Sequence, residues 1–312
     1  MSAVGEFGLI ERFRSKLPLP PSGESWSGDD AAVLRSGDGW SLVTVDVLVE
    51  GIDFDLGYGS PEDVGWKALT VNVSDIAAMA GTPTHAVAAL SLPSGTPTNV
   101  ADGILDGMLA ASERWNVALV GGDVSAATEI SIAVTLLGRA QEPVLRSGAR
   151  VGDAICVTGS LGGAAAGLML LRSGGEGASG ALVSRQLRPM ARVEEGIELE
   201  RAGATALIDI SDGFVGDLVH VLDASGVGCD VDPAAVPVDP GIASASLEVD
   251  PLELALTGGE DFELLVTLPS EAAAQLGHVV TRVGTVTESE RRIGGRSLEE
   301  WKDKAWDHLR DR

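Results

Sequence analysis

The stretch ALIDISDGFVGDL (206–218) runs from an apolar strand, Ala206 to Ile210, through a short polar turn into an apolar helix beginning at Phe214. A strand that hands polar side chains to the start of a helix is the building step of an α/β unit, and that helix N-terminus can help hold an anion. Outward from it, acidic groups recur beside glycines or at strand ends: Gly28-Asp29-Asp30, Asp46, Asp75, Gly121-Gly122-Asp123, Asp209 and Asp212 themselves, and Gly258-Gly259-Glu260-Asp261. Carboxylates gathered at low dielectric repel one another unless a cation or proton lies between them. Hard oxygen ligands suit Mg²⁺, which commonly joins a few carboxylates to a substrate's phosphates, and neighbouring glycines let backbone approach phosphate oxygens. The pattern points to nucleotide-dependent phosphoryl transfer with several magnesium ions. A compositional explanation competes with it, since Asp and Gly both favour turns; Asp38-Gly39 reads as a hairpin and nothing more.

The rest of the chain supplies the frame. Ahead of the quoted stretch, residues 1–140 read β-β-α-β-α-β-β, with the helices covering one face of a sheet. Ser60-Pro61-Glu62-Asp63 is a strong helix start, with Ser60 as cap, Pro61 at the first turn and Asp63 in a capping box. Apolar residues then recur at helical spacing to Ala80, where Gly81-Thr82-Pro83 stops the helix. Asn72 and Asp75 share a largely apolar face of it, which makes both stand out. The polar, turn-rich residues 141–152 mark a junction, so the expected domains are 1–140 and 141–312. In the second, strands are expected at 154–158, 206–210, 227–231, 252–256, 262–268 and 279–286, and helices at 162–171, 189–202 and 214–224. SGGEGASG (173–180) reads as a surface connection.

Composition narrows the function classes. The chain has 312 residues and a formal charge of −24, with no cluster of Lys or Arg, which argues against nucleic acid and anionic lipid as partners. No 18-residue apolar run appears, so a soluble cytoplasmic protein without a membrane segment is expected. Cys156 and Cys229 form neither a disulfide framework nor a metal knuckle. There is no Walker A sequence; TGSLGGAAAG (158–167) is glycine-rich but lacks the lysine, and its small residues read first as close helix packing.

In order along the chain, GDDAA (28–32), VTVDVLVEGIDF (43–54), KALTVNVSDIAAMAG (67–81), GGD (121–123), LRSGARVGD (145–153), IDISDG (208–213) with Asp217, and TGGEDFELL (257–265) resemble the thiamine-monophosphate kinase family. That family belongs to the aminoimidazole-ribonucleotide synthetase-like superfamily of ATP-binding proteins. The resemblance implies a two-domain α+β and α/β, PurM-like fold and a homodimer paired through its N-terminal domains. It also implies transfer of the ATP γ-phosphoryl group to thiamine monophosphate, with several Mg²⁺ ions. Matched motif by motif, it implies Asp30, Thr44, Asp46, Asp75, Asp123, Asp209 and Asp212 at the metals, with Asp30, Asp75, Asp123, Asp212 and Arg146 catalytic. Gly121, Gly122, Asp123, Arg146 and Ser211 would hold ATP. Asp53, Glu260 and Trp306 would meet the thiamine part. The chain departs from the family pattern at Asp53, where a histidine is usual, at Val124, where a threonine is usual, and in the tail after Trp306.

Overall fold

The computed structural model describes residues 5–174, 180–245 and 247–302. After helix α1 (Gly5–Arg14), strands β1 (Ala32–Ser36), β2 (Gly39–Val49), β3 (Thr82–Leu92), β4 (Ala118–Ala126) and β5 (Ser131–Ala140) form one sheet of order β1-β2-β5-β3-β4. Helices α2 (Pro61–Ala78) and α3 (Thr98–Trp115) lie within the same stretch of chain. The second sheet has order β12-β11-β8-β10-β6-β9-β7. Its strands are β6 (Ala154–Thr158), β7 (Ala206–Asp209), β8 (Gly228–Val231), β9 (Leu264–Leu268), β10 (Val280–Thr287), β11 (Arg291–Ile293) and β12 (Arg296–Ser297). Helices α4 (Gly163–Arg172), α5 (Gly180–Leu187), α6 (Val193–Arg201), α7 (Phe214–Ser225), α8 (Pro251–Thr257), α9 (Ser270–Gln275) and α10 (Glu299–Lys302) complete it. No helix among the described residues is long and apolar enough to cross a membrane.

Helix α2 is the pivot of this arrangement. It begins as its sequence dictates: Asp63 N donates to Ser60 Oγ, Ser60 N donates to Asp63, and Pro61 occupies the first turn. Most of its residues are buried, on all sides rather than along one stripe, because it packs against the first sheet, α3, α6 and β7. Two glycines permit the α2–α3 approach. A Cβ at Gly65 would meet Ile104 O at 1.9 Å, and one at Gly107 would meet Glu62 O at 2.0 Å. A helix buried all round must satisfy its polar residues internally, and it does so in ways that build the site described below.

Two sequence expectations differ from the structure, and one helix was not anticipated. Residues 252–256 form helix α8 rather than a strand: Asp250 accepts Leu252 N, and Pro251 opens the first turn. Five residues, LELAL, are too few for their period to separate the two states, so the cap decided it. Helix α5 occupies residues 180–187, nearly all of which carried no expectation, and the helix expected from 189 begins at Val193.

Candidate active site

Three carboxylates converge from three elements. Asp30 lies just before β1, Asp75 projects from α2, and Asp209 ends β7; one ligand oxygen from each lies within 4.8 Å of the others. Their neighbours fix them. Ser74 Oγ donates to Asp209 Oδ2 at 2.6 Å, and Thr44 Oγ1 donates to Asp75 Oδ2. Asn72 ties β2 to α2, accepting Asp46 N at 3.1 Å while its amide donates to Ala68 O. Arg146 Nη2 donates to Asp30 Oδ1, and Arg146 N donates to Asp29 Oδ1 at 2.7 Å, so the 144–149 segment is clamped against the 28–30 turn.

The electrostatics follow from crowding. Burial pushes Asp75 well above the usual carboxylate range, and the charges of Asp46, Asp209 and Asp30 push it further. Burial raises Asp209 to about 8, with Asp30 adding to the rise. Asp30 is raised by burial too, against the pull of Arg146. Burial works against the charge on Arg146, but Asp30 more than offsets it. Asp30 Oδ2 is buried with no hydrogen-bond partner. An unpartnered buried oxygen beside two more carboxylates, all of them hard donors, fits a divalent cation of the Mg²⁺ type.

Two loops shape the space above this cluster. Ser211 N and Asp212 N donate to Asp217 Oδ2 at 3.1 and 3.2 Å, so a buried carboxylate in the first turn of α7 fixes the 209–213 turn from behind. Glu260 N donates to Ser211 O, Phe262 N to Ile210 O, and Ile210 N to Glu263 O, lacing the 257–263 loop onto that turn. Glu260 and Phe262 both hold left-handed backbone (φ 69° and 49°), strained for non-glycine residues. Between them Asp261 is buried, accepting Gly162 N at 2.6 Å and Ala164 N at 3.1 Å. The loops frame a cleft of ≈ 490 Å³ whose lining includes Asp46, Asp75, Asp209, Ser211 and Asp212 at one end. Asp53, Gln186 and Glu260 also line it.

The expected site residues therefore divide. Asp30, Asp75 and Asp209 form one cluster; Asp46, Ser211 and Asp212 line the cleft beside it; Thr44 orients Asp75. Arg146 is engaged with Asp30. Asp53 lines the cleft, and its Oδ2 accepts Val49 N at 2.8 Å, so part of the carboxylate closes its own turn. Asp123 stands apart. It is in register with Ala89, which faces Ala133, which faces Val47, and that row lies on the opposite face of the sheet from Thr44 and Asp46. Gly121 and Gly122 sit on the same exposed edge strand. Trp306 lies outside the described residues. The sequence does not single out Ser74, Lys67 or Gln186, or the part Asp217 plays in fixing the 209–213 turn. A lysine and a run of polar residues inside an otherwise apolar helix were the available signal.

Two family models cover the chain: AIR synthase related protein, N-terminal domain, over residues 28–140, and the C-terminal domain of the same family over 150–294. Thiamine-monophosphate kinase of Aquifex aeolicus is 36% identical over 315 residues, 99% of each chain. The enzyme of that name from Mycobacterium tuberculosis strain H37Rv is 37% identical over 270 residues, 85% of this chain and 81% of that one. Among solved structures, AaThiL complexed with AMPPCP and TMP matches with a TM-score of 0.92 at 36% identity, covering 99% of this chain and 98% of that one. Hydrogenase maturation protein HypE in complex with ATP shares the fold alone, with a TM-score of 0.68 at 21% identity over 86% of this chain and 87% of that one.

Proposed function

Because the chain belongs to the thiamine-monophosphate kinase family of AIR synthase related proteins, we infer that it transfers the γ-phosphoryl group of ATP to the phosphate of thiamine monophosphate, releasing thiamine diphosphate and ADP. The observation that carries this reading is the cluster of Asp30, Asp75 and Asp209, two of which line the cleft, in a fold that matches, over 99% of the chain, a structure holding AMPPCP and TMP.

Asp30, Asp75 and Asp209 would hold Mg²⁺, with Asp46 and Asp212 beside them; bound there, the metal supplies positive charge against the phosphates. The protein's own part is positional. Thr44 and Ser74 aim two of the carboxylates, Asp217 fixes the turn bearing Ser211 and Asp212, and Arg146 holds Asp30. Ser211 lines the cleft, where its hydroxyl would be offered to a phosphate oxygen. The acceptor is a phosphate monoester, largely anionic near neutral pH, so no strong general base is required and alignment does most of the work. We assign the metal and nucleotide groups chiefly to residues 1–140 and the closing loops to 141–312. A cytoplasmic setting suits the reading, since it supplies ATP and Mg²⁺ and keeps the buried thiols Cys156 and Cys229 reduced.

A homodimer is part of the same reading. The outer face of the first sheet exposes Val45, Val47, Val87 and Leu137. A continuous apolar sheet face of this kind favours a partner surface, and a second copy of the chain is the occupant the family implies. Asp123 lies on that face, so it would act across the interface rather than within its own cluster. Val45→Asp should convert dimer to monomer in sedimentation velocity; an unchanged dimer removes this face from the interface. The activity itself is tested by ADP release from Mg²⁺–ATP with and without thiamine monophosphate, with chromatographic detection of thiamine diphosphate. Stoichiometric products are expected. ADP formed at the same rate without the acceptor, and no thiamine diphosphate, would sink the assignment.

A further inference from the structure

Lys67 sits on α2 two turns before Asp75, with its side chain only 4% exposed. Its ammonium pairs with Glu260 Oε1 and donates to Asp53 O at 2.9 Å. Burying an ammonium against a carboxylate gives little net stability, because desolvation offsets the attraction. The pair is better explained by what it holds. The second Glu260 oxygen accepts Gln186 Nε2 at 2.5 Å. An ionised carboxylate only accepts, so the amide must turn its nitrogen toward Glu260. Gln186 Oε1 is left buried and without a partner, a cost taken in order to grip the carboxylate. The backbone of Glu260 is fixed as well, in left-handed conformation and bonded through its N–H to Ser211 O. Glu260 is thus held at three points by three separate elements, while it lines the cleft. Lys67 does not line the cleft but lines a separate small cavity, shared with Asp53 and Gln186.

Resting on the kinase reading above, we propose that Lys67 is a positioning residue for the phosphate acceptor. Together with Gln186 it locks Glu260 as a fixed anionic wall for the cationic, nitrogen-bearing end of thiamine monophosphate, and so sets acceptor affinity without acting on ATP. A free glutamate could swing toward solvent or toward cations at the aspartate cluster. A pinned one presents its charge in one place, so less ordering remains to be done when the substrate binds.

Steady-state kinetics of the full chain with Mg²⁺–ATP test this. Lys67→Met keeps length and removes charge; the KM for thiamine monophosphate should rise at least tenfold, with kcat and the KM for ATP within about twofold. Gln186→Met should move the same constant about threefold. In a Glu260→Gln background, Lys67→Met should add less than twofold, because no carboxylate remains to be positioned. An unmoved acceptor KM in both single variants overturns the proposal, as does a parallel rise of both KM values or full additivity with Glu260→Gln. Should Lys67→Met fail to fold, Gln186→Met and its cycle with Glu260→Gln decide. Wild-type protein in the same assay separates the two readings: no thiamine diphosphate overturns the kinase assignment, whereas normal turnover with an unmoved KM overturns only the role of Lys67.

Discussion

The β6–α4 and β7–α7 connections are both glycine-bearing turns between a buried strand and a helix, TGSLGG (158–163) and DISDG (209–213), and they serve opposite ends. The first is closed. Asp261 accepts the N–H groups of Gly162 and Ala164, so the start of α4 is occupied by the chain's own carboxylate. A Cβ at Gly162 would meet Ala255 N at 2.8 Å, and one at Gly167 would meet Leu182 O at 2.1 Å, so these glycines serve packing. The second is open. Its backbone N–H groups at Ser211 and Asp212 are held from behind by Asp217, and its side chains line the cleft. A glycine-rich turn before a helix therefore does not identify an anion site. What distinguishes the two is whether a carboxylate of the chain sits in front of the turn or behind it.

That contrast breaks most visibly at the open turn's carboxylates. Asp212→Asn in the turn, or Asp75→Asn on α2 beside it, removes a carboxylate proposed to hold Mg²⁺ and should lower kcat on the order of 10³-fold. In Mg²⁺-free buffer the melting temperature of Asp75→Asn should hold or rise, because a buried carboxyl in repulsion with its neighbours is lost. Wild-type turnover at saturating Mg²⁺ would remove either residue from the site. Asp217→Ala leaves the Ser211 and Asp212 N–H groups without their acceptor, and apparent Mg²⁺ affinity should fall about 10- to 100-fold, as for other groups that orient metal ligands. A Mg²⁺ titration of turnover checks it; an unchanged midpoint would mean the turn holds its shape without Asp217.

The open turn was legible in the sequence because polar residues interrupted an apolar strand and helix, and the same reasoning found Asp75 on α2. The closed turn was legible only in part. Its small residues announced tight packing, but nothing local said that Asp261, a hundred residues away, would fill it. Asp123 shows the same limit. Its motif placed it with the metal ligands, yet sheet register puts it on the other face, and a bulge between Ala86 and Val87 makes that parity unreadable from β3 and β4 alone. Lys67 was hidden differently: its partners, Glu260 and the Asp53 carbonyl, are contributed by separate loops. Local chemistry was visible, while the pairings that direct it are set by tertiary contacts.

At the closed turn the expected effect is on stability. Burial raises Asp261 to about 7, against the hydrogen bonds from Gly162 and Ala164. A folded-state pKa above the unfolded one means the folded chain holds its proton longer, so this group's contribution is fully present below about pH 4 and is lost as pH rises to about 7. The loss is on the order of 4 kcal/mol. Asp261→Asn should remove that leg, so the difference between variant and wild-type urea midpoints should grow from pH 4.5 to 7.5, with kcat changed less than about threefold. A constant difference across that range would place the Asp261 proton elsewhere.

The smallest effect separates the turns with one residue type. Ser211 and Ser160 each carry a hydroxyl, one in the open turn and one in the closed. Ser160 Oγ accepts from Arg185 Nη2 at 3.1 Å and is used within the fold. The backbone of Ser211 is engaged within the fold, its N–H by Asp217 and its carbonyl by Glu260, and the residue lines the cleft. A hydrogen bond to a charged phosphate is worth roughly 1.5–3 kcal/mol at most, and a water that replaces it recovers part. Ser211→Ala should therefore raise the KM for ATP about tenfold or less and leave the acceptor KM alone, whereas Ser160→Ala should move neither constant. If both serines shift the ATP constant equally, the closed turn also reaches the nucleotide, and the plug formed by Asp261 must open when substrate binds.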